Sequence, residues 1–525
     1  MFKRVIKNTS ILSIGTLVSR FLGLIRDVLV AKFFGTSVVL EAFIVAFRLP
    51  NLFRSIFAEG FVDSVATPVL AEHQKNKDRL FEISNHLLSL FVIILFIFTF
   101  LGIIFAKFLV LFIAPGFISD ANKFNLCVSF TRITFLYLFL IGFSVNIIAI
   151  LYSLKKFFIP AITPAFLNIS FIVGILFFSR FFKNYILVIC VLSAGILQII
   201  FPLIFLKREG FLLRFSFRDS FKDNAIIKMV KLFLPRIWGS IIYHLSVFVD
   251  TIFSSFTYIV GEGALGAVYY ANRLIQFPFA LIALSVSRVA IVDLSSYHSQ
   301  GNLSDFKKLF VFSFQNIIFF VVPISVIFIF IPEGIVDVIF RRGEFSLSSL
   351  EITSSVLFFY SFGLFFFCGI KLLVNAFYSL KDTSLPAKTA TASLIVNVTL
   401  SAILMYPLKI GGVALGSSLA AAFNFFLLYY YLIKKIGKID WQDTKLQFIK
   451  VFLLSLSVGI ISRFLWSTLS YHKYVKMLII LTSDVVIFSA AGFILGFKQI
   501  NYIKKWFLRS EKWEVGSQNQ KINGR

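Results

Sequence analysis

Charged residues, cysteines and histidines are all scarce in this sequence. Only 14% of the 525 residues are Asp, Glu, Lys or Arg, whereas soluble proteins carry about 25%. The three cysteines (Cys127, Cys190 and Cys368) lie far apart in apolar runs, and the five histidines show no ligand spacing. These shortages argue against a water-soluble globular protein, a disulfide framework and a His/Cys metal site.

Apolar residues are correspondingly abundant in the sequence. Hydrophobic residues make up 58% of the chain, and Phe alone occurs 70 times. Runs of about 20 apolar residues, which suffice to cross a bilayer as a helix, occur fourteen times. We therefore predict an all-α polytopic membrane protein. The spans are expected near 10–33, 38–70, 84–113, 124–153, 159–180, 184–206, 226–256, 263–292, 306–332, 348–379, 386–406, 411–435, 447–469 and 475–498.

Basic residues predict the orientation of these spans. Lys and Arg outnumber Asp and Glu by 51 to 25, and they concentrate in alternate connections, as expected of cytoplasmic loops. Both termini are therefore predicted in the cytoplasm, with the basic loop FRRGEF (340–345) as an exception on the outer side. The basic residues form no long soluble patch, so nucleic-acid binding is not expected. No cleavage site follows the N-terminal segment, which is predicted to stay as the first helix.

The longest polar connection, KREGFLLRFSFRDSFKDN (207–224), divides the chain. A weak internal echo links VAFRLPNLF (45–53) with YYANRLIQFPF (269–279), although chance similarity of two apolar segments explains it equally well. We predict two six-helix lobes with pseudo-two-fold symmetry, a common transporter design. The predicted parts are an N-terminal lobe (1–206), a cytoplasmic linker (207–224), a C-terminal lobe (225–440), helices 13–14 as a lipid-tail groove or as packing (441–500), and a basic cytoplasmic tail (501–525).

The first two spans carry charge where hydrocarbon is expected. An ionised side chain at the bilayer centre costs about 3 kcal/mol or more, so it normally faces a bundle interior or a wet cavity. The polar residues of span 1 share an arc of roughly 140° on a helical wheel, and Pro50 predicts a kink in span 2. The charged residues are Arg20, Arg26, Asp27, Glu41, Arg48, Arg54 and Glu59.

Spans 7 and 8 repeat this pattern with Arg236, Asp250 and Arg273, whereas spans 3, 5, 6, 12 and 14 have few or no central charges and spans 13 and 14 are classed as apolar. The pattern predicts one cavity at the lobe interface. Arginines outnumber acids there, and Arg favours bidentate phosphate binding, so an anionic phosphate or pyrophosphate substrate is expected. The alternative is that Arg20–Asp27 and Arg48–Glu59 are ion pairs that lock the bundle.

Two further acids, Asp250 and Asp382, are candidates for Na⁺ or H⁺ coupling. Asp382 has an alternative interpretation as a loop acid satisfied by water.

The run TLVSRFLGLIRDVLVAKFFGTSVVLEAFIVAFRLPNLFRSIFAEGFVDSVATPVLAEH (16–73) closely resembles the N-terminal motif of the MurJ/MviN lipid II flippases. This family shares a superfamily with the MATE drug transporters and the polysaccharide flippases. Weaker matches lie at 234–251, 267–281 and 375–386, so the resemblance spans about 1–500. The sequence departs from the family at Glu41 and Asn272, and Arg288 and Asp293 are unusual, which leaves the end of span 8 open.

The resemblance implies a bacterial inner-membrane transporter, and no cofactor is expected. The sequence does not determine the oligomeric state, for which a monomer is favoured. Its implied substrate is lipid II, the undecaprenyl-pyrophosphate-linked disaccharide-pentapeptide, carried to the outer leaflet by alternating access. The family's essential cavity arginines correspond to Arg20, Arg26, Arg54 and Arg273. Its accompanying acids correspond to Asp27, Glu41 and Glu59, and we assign these acids and Arg48 to gating or tuning of the cavity.

Three other functions compete with this prediction. An exporter of another lipid-linked oligosaccharide is the nearest. A MATE-like antiporter of cationic drugs would have acids rather than arginines dominating the cavity. A membrane-embedded transferase or phosphatase acting on an isoprenoid phosphate would need a nucleophile or base cluster, which the five histidines do not supply. We therefore predict a transporter and not an enzyme.

Overall fold

The computed structural model describes residues 2–56, 61–62 and 65–500, with side chains described for all of these except 2–17 and 234–244. Within these residues the regular structure is helical. The first helices are α1 (Phe2–Phe34), α2 (Val38–Ser55), α3 (Thr67–Glu72), α4 (Lys77–Ile104), α5 (Ala106–Ile113), α6 (Ala121–Ser153), α7 (Phe158–Ile162), α8 (Ala165–Val173), α9 (Ser179–Phe182), α10 (Ile186–Arg208), α11 (Phe217–Ser220), α12 (Asn224–Ser255) and α13 (Thr257–Val260).

The later helices follow with short connections. They are α14 (Ala264–Pro278), α15 (Leu284–Ser299), α16 (Leu303–Phe330), α17 (Pro332–Ile339), α18 (Leu347–Ser379), α19 (Ser384–Ile436), α20 (Gln442–Thr468) and α21 (Lys473–Ile494). Short 3₁₀ segments occupy Pro115–Ser119 and Lys183–Tyr185, and wider π-type turns occupy Gly174–Phe178 and Phe279–Ala283.

Each of the fourteen predicted spans coincides with helix in the part of the chain that is described, which confirms the all-α membrane fold. Spans 11 and 12 are two helices within Ser384–Ile436 (α19), and they meet at Lys409, whose φ of 51° and ψ of −135° are not helical. Span 8 continues as helix through Arg288 and Asp293 to Ser299, seven residues beyond the predicted end at 292. The two unusual charges, Arg288 and Asp293, therefore lie within a continuous helix and do not end it.

Polar residues mark where several long helices begin. Side-chain oxygens of Ser37, Asn76, Asp120, Asp223 and Asn302 accept hydrogen bonds from first-turn N–H groups of α2, α4, α6, α12 and α16. Such a cap contributes about 1 kcal/mol by satisfying a donor that has no partner inside the helix. The sequence therefore sets these helix starts locally.

The chain divides into two compact units. The first comprises Met1–Tyr270, Phe340–Ile352 and Met405–Ile410, and the second comprises Ala271–Ile339, Thr353–Leu404 and Gly411–Arg525. The predicted boundaries of the lobes and linker remain predictions, and the predicted tail (501–525) lies outside the described residues.

In the first unit α6 packs against α2, α4 and α10. Thr134 of α6 donates its hydroxyl to the carbonyl of Ala46 at 2.8 Å, and Ser144 donates to the carbonyl of Gln198 at 2.6 Å. Tyr137, between these two residues on the same helix, is fully buried. Polar contacts inside an apolar interface therefore fix how α2 and α10 lie on α6.

In the second unit α20 packs against both α16 and α21. Gln315 of α16 donates to Thr444 at 2.9 Å, and the rings of Phe319 and Phe488 stand 5.5 Å apart. The two C-terminal helices are thus joined to α16 by ordinary interior contacts.

The basic loop FRRGEF interlocks with the end of α1 in the first unit. Glu344 N–H donates to the carbonyl of Lys32 at 2.8 Å. Gly35 and Gly343 have φ values of +50° and +56°, and a Cβ on either would lie 2.3 Å from a backbone oxygen of the opposite segment. Only glycine allows the two backbones to approach this closely.

Cys127, Cys190 and Cys368 are all buried. Large apolar side chains are exposed instead, including Phe112, Phe181 and Ile494. An apolar exterior of this kind is expected where lipid takes the place of water. The chain is a multi-pass membrane protein.

Candidate functional site

Asp27 is held inside the first unit by two side chains. It is 4% exposed, and its Oδ1 accepts hydrogen bonds from Arg26 Nε at 3.0 Å, from Arg26 Nη2 at 2.8 Å and from the Tyr269 hydroxyl at 2.7 Å. The Arg26 guanidinium also lies 5.7 Å from the centre of the Phe171 ring, within cation–π range. Asp27 therefore orients the guanidinium of Arg26.

The rest of the polar face of α1 is anchored to α8. Asn168 donates its amide to the Ser19 carbonyl at 2.8 Å, and a Cβ on Gly23 would still clear the Asn168 side chain at 3.8 Å. Arg20, next to Ser19, is exposed. The helix thus presents Arg20 outward from a fixed backbone.

Glu41 is enclosed with a lysine. Glu41 is 1% exposed and forms an ion pair with Lys123, which is 4% exposed. The other carboxylate oxygen of Glu41 accepts the N–H of Leu265 at 2.9 Å, in the first turn of α14. Lys123 Nζ also lies 4.3 Å from the Phe117 ring centre. The predicted bounds of spans 3 and 4 (84–113 and 124–153) leave Lys123 in the loop between them, but it belongs to α6, where Glu41 compensates its buried charge.

The remaining charges of span 2 lie beyond Glu41 on α2. Arg48 and Arg54 are half-buried, and Arg54 Nε donates to Asn51 Oδ1 at 3.0 Å. The helix continues through Pro50 to Ser55. Glu59 lies outside the described residues, so the Arg48–Glu59 pair remains a prediction.

Arg273 belongs to α14 in the second unit, with its Nη1 at 3.5 Å from Gln276 Oε1, the outer limit of a hydrogen bond. Asp250 lies in α12 and is partly exposed, while the side chain of Arg236 is outside the described residues. That Arg273 acts together with Arg20, Arg26 and Arg54 remains a prediction.

Asp382 lies in the short loop before α19. Its Oδ2 is 2.7 Å from Lys435 Nζ, and its Oδ1 accepts the N–H of Leu385 at 3.1 Å. The hydrogen bond from Lys435 holds the pKa of Asp382 below its ordinary value. Asp382 is therefore a loop acid at the start of a helix. This favours the loop interpretation over a role in binding Na⁺ or H⁺.

A cavity of about 680 Å³ in the first unit contains none of the predicted site residues. Arg180 and Lys183 line it, together with Glu262 and Glu344. Lys183 has a φ of 44°, in the left-handed region that favours glycine.

The comparison with known proteins connects these features to a family. A sequence profile described as lipid II flippase MurJ matches residues 30–483. The chain belongs to the lipid II flippase MurJ family. The family resemblance stated from residues 16–73 is therefore confirmed.

Curated members of this family align along most of the chain. The "Probable lipid II flippase MurJ" of Buchnera aphidicola (subspecies Schizaphis graminum) is 33% identical over 514 residues, covering 95% of this chain and 98% of the relative. The protein of the same name from Rickettsia prowazekii is 30% identical and covers 92% and 95%. The Haemophilus influenzae protein is 28% identical and covers 93% and 100%.

Solved structures agree with this placement. A structure titled "Lipid II flippase MurJ, inward closed conformation" matches with a TM-score of 0.78 at 25% identity, covering 92% of this chain and 98% of the other. An inward-facing MATE multidrug transporter matches with a TM-score of 0.67 at 14% identity, covering 82% and 98%. The second match shows a shared fold alone.

Sequence reasoning missed three groups that the structure brings together. Lys123 was missed because its partner Glu41 lies 82 residues earlier. Asp223 was missed as the partner of His86 and Arg79, although its position just before α12 marks it as a cap. Asp484, in the segment LTSDVV (481–486) of span 14, was visible but was passed over when that span was classed as apolar.

Proposed function

We propose that this protein is a lipid II flippase that carries the undecaprenyl-pyrophosphate-linked peptidoglycan precursor from the inner to the outer leaflet by alternating access. The observation that carries the proposal is the family match over residues 30–483, with relatives of that name aligned along nearly their whole length. The transported lipid then supplies cell-wall synthesis.

Four arginines are proposed to bind the pyrophosphate: Arg20, Arg26, Arg54 and Arg273. The contacts of Arg26 support its part in this proposal, because Asp27 accepts from Nε and Nη2 and so fixes the plane of the guanidinium group. Asn51 orients Arg54 in the same way through Nε. Guanidinium groups held at a fixed angle suit bidentate contacts with phosphate oxygens.

The acids are proposed to serve the site indirectly. Asp27 and Tyr269 set the angle of Arg26. Glu41 holds α2, α6 and the start of α14 together through Lys123 and Leu265, a contribution to positioning that does not require contact with substrate. Gating or tuning by Arg48 and Glu59 stays a proposal.

The energy source is a separate proposal. The membrane potential acts with about 2.3 kcal/mol per charge per 100 mV, so a cationic site that moves across the membrane would respond to it. Asp250 and Asp382 are the proposed candidates for binding Na⁺ or H⁺, and the ion pair of Asp382 with Lys435 argues against Asp382. We also propose that the protein lies in the bacterial cytoplasmic membrane as a monomer. Both termini are proposed to lie inside, on the basis of the Lys and Arg distribution.

Complementation tests the proposal. Bacteria depleted of their own lipid II flippase would express the wild type, Arg26→Ala, Arg273→Ala, or the control Arg463→Ala, which removes a surface arginine paired with Glu333 at 2.9 Å. Lipid II exposed outside is the readout, with membrane abundance measured by immunoblot. We expect the wild type and the control to restore exposure and the other two variants to fail.

The outcomes separate two claims. If the wild type does not restore exposure, the flippase assignment is wrong for this chain. If Arg26→Ala and Arg273→Ala both match the wild type, the arginine site is wrong while the family membership is unaffected.

A further inference from the structure

Asp484 is a buried acid that the proposed transport cycle does not use. It is the twelfth residue of the 22-residue helix α21, and it is 3% exposed. The helix is apolar enough to cross a membrane. An ionised carboxylate at such a position costs about 3 kcal/mol or more, so this residue needs a compensating partner.

The cations of α21 and of the C-terminal half of α20 have other contacts. Arg463 of α20 binds Glu333 of α17 at 2.9 Å, and Lys473 of α21 lies 3.3 Å from Asp337 of α17. Lys476 lies 4.5 Å from the ring centre of Trp466. α16 packs on α20, and its charged residues Asp305, Lys307 and Lys308 lie in its first two turns. Within the described residues, no Lys, Arg or His forms an ion pair with Asp484.

The contact to Asp484 comes from Ser462 of α20. Ser462 Oγ lies 2.8 Å from Oδ1 and 2.9 Å from Oδ2 of the carboxyl group. The same Oγ lies 2.8 Å from the carbonyl oxygen of Val458, one turn earlier in α20. The serine oxygen thus stands between a carboxyl group and a backbone carbonyl.

Counting hydrogens assigns the protonation state. A serine hydroxyl has one hydrogen to donate and two lone pairs to accept with. If Asp484 were ionised, the single Ser462 hydrogen would be the one donor that the described residues offer to both carboxylate oxygens, so a buried, charged oxygen would lack a donor at a cost of about 1–3 kcal/mol or more. The Val458 carbonyl accepts the Ser462 N–H within α20 in either case. If Asp484 carries a proton, it donates to Ser462 Oγ, Ser462 donates to Val458, and no charge is buried.

We infer that Asp484, Ser462 and the Val458 carbonyl form a proton-binding site inside the α20–α21 pair, with the proton bound while the two helices are packed against each other. The site goes beyond the proposed lipid transport and does not depend on it. Because the closed pair favours the protonated acid, proton release is coupled to opening of the α20–α21 contact to water. The two helices predicted to hold a lipid tail therefore also hold a titratable group.

Infrared difference spectroscopy on the full-length protein in phospholipid vesicles at neutral pH tests this inference. We expect the spectrum of wild type minus Asp484→Asn to contain the C=O stretch of a protonated carboxylic acid. The matched control is Asp337→Asn, which removes an acid that faces Lys473, and its difference spectrum should contain the two carboxylate stretches instead. Carboxylate bands in the Asp484→Asn difference would overturn the inference.

Ser462→Ala gives a second measurement that does not remove the acid. Loss of the hydroxyl acceptor should shift the protonated C=O band of Asp484 relative to the wild type. An unchanged acid region in Ser462→Ala would contradict the hydrogen-bond chain, even if Asp484→Asn cannot be purified in folded form.

Discussion

At the scale of single residues, the protein keeps its membrane-embedded charges in two different ways. Asp27 and Arg26 form a partly buried ion pair, and Asp27 also accepts the hydroxyl of Tyr269. Glu41 and Lys123 are both nearly inaccessible and form an ion pair with each other, while Glu41 also accepts the N–H of Leu265 and Lys123 lies over the Phe117 ring. The first arrangement suits binding, and the second suits stability.

The Glu41–Lys123 pair leads to a stability prediction. Glu41→Ala would leave the Lys123 ammonium buried without its counter-charge, and removal of one partner from a buried pair costs about 3–5 kcal/mol. Lys123→Met should cost a similar amount for the converse reason. The measurement is the thermal unfolding midpoint of the detergent-solubilised protein.

The double variant Glu41→Met with Lys123→Met supplies the control for this prediction. Well-packed apolar residues often replace a buried ion pair at little cost, so the double variant should be more stable than either single variant. Additive losses in the double variant would show that the pair does not stabilise the fold as a unit.

Single residues also show where sequence reasoning stops. The sequence identified Arg20, Arg26, Asp27, Glu41 and Arg54 as residues that need an account, because an apolar run makes each charge conspicuous. It did not identify which side chain meets which. The partners of Asp27 and Glu41 lie in α14 and α6, and only the packing of helices brings them together.

At the scale of elements, a polar cluster joins the start of α4 to the start of α12. Asp223 accepts a hydrogen bond from Arg79 at 3.0 Å and lies 2.7 Å from His86 Nδ1, and it also accepts the N–H of Ala225 at 2.9 Å. Burial raises the pKa of Asp223, but the hydrogen bonds from His86 and Ala225 and the charge of Arg79 outweigh it and leave the pKa below the ordinary value of 3.8.

This cluster predicts a pH dependence of stability. Because the pKa is lower in the folded state than in the unfolded state, the Asp223 contacts stabilise at neutral pH. That contribution decreases as the pH falls below 3.8 toward the lowered pKa. The unfolding midpoint of Asp223→Asn should therefore lie below that of the wild type at neutral pH, and the gap should close in acid.

The control for this experiment is Asp78→Asn, which changes an exposed acid on the first turn of α4, the helix that carries Arg79 and His86. It should leave the midpoint close to that of the wild type at neutral pH. A gap between the wild type and Asp223→Asn that stays constant from neutral pH into acid would contradict the prediction.

Element boundaries followed from sequence more closely than element irregularities did. Backbone polar groups in lipid must be satisfied within the helix, so a long apolar run has one available structure. No comparable rule predicts where a helix is interrupted. The irregularities here are the break at Lys409 inside α19 and the π-type turns at Gly174–Phe178 and Phe279–Ala283. They depend on the neighbours against which each helix packs.

At the scale of the whole molecule, the family resemblance predicted more than composition could. Composition and hydropathy indicate a multi-pass helical membrane protein, but many transporters share that description. The long motif at 16–73 singled out one family, and the profile match over 30–483 confirms it. Neither composition nor the family motif pointed to Asp484, the buried acid of α21, because one charge among apolar residues changes neither of them.

The burial of all three cysteines makes the natural chain a ready background for thiol chemistry. A membrane-impermeant maleimide should leave the wild type in intact cells unlabelled, so that a single added cysteine can be detected without replacing the natural ones. Lys183 and Arg218 are both exposed, and the predicted orientation places them on opposite sides of the membrane. We expect Lys183→Cys to be labelled from outside and Arg218→Cys to be labelled only after the cells are opened, and the reverse pattern would invert the proposed topology.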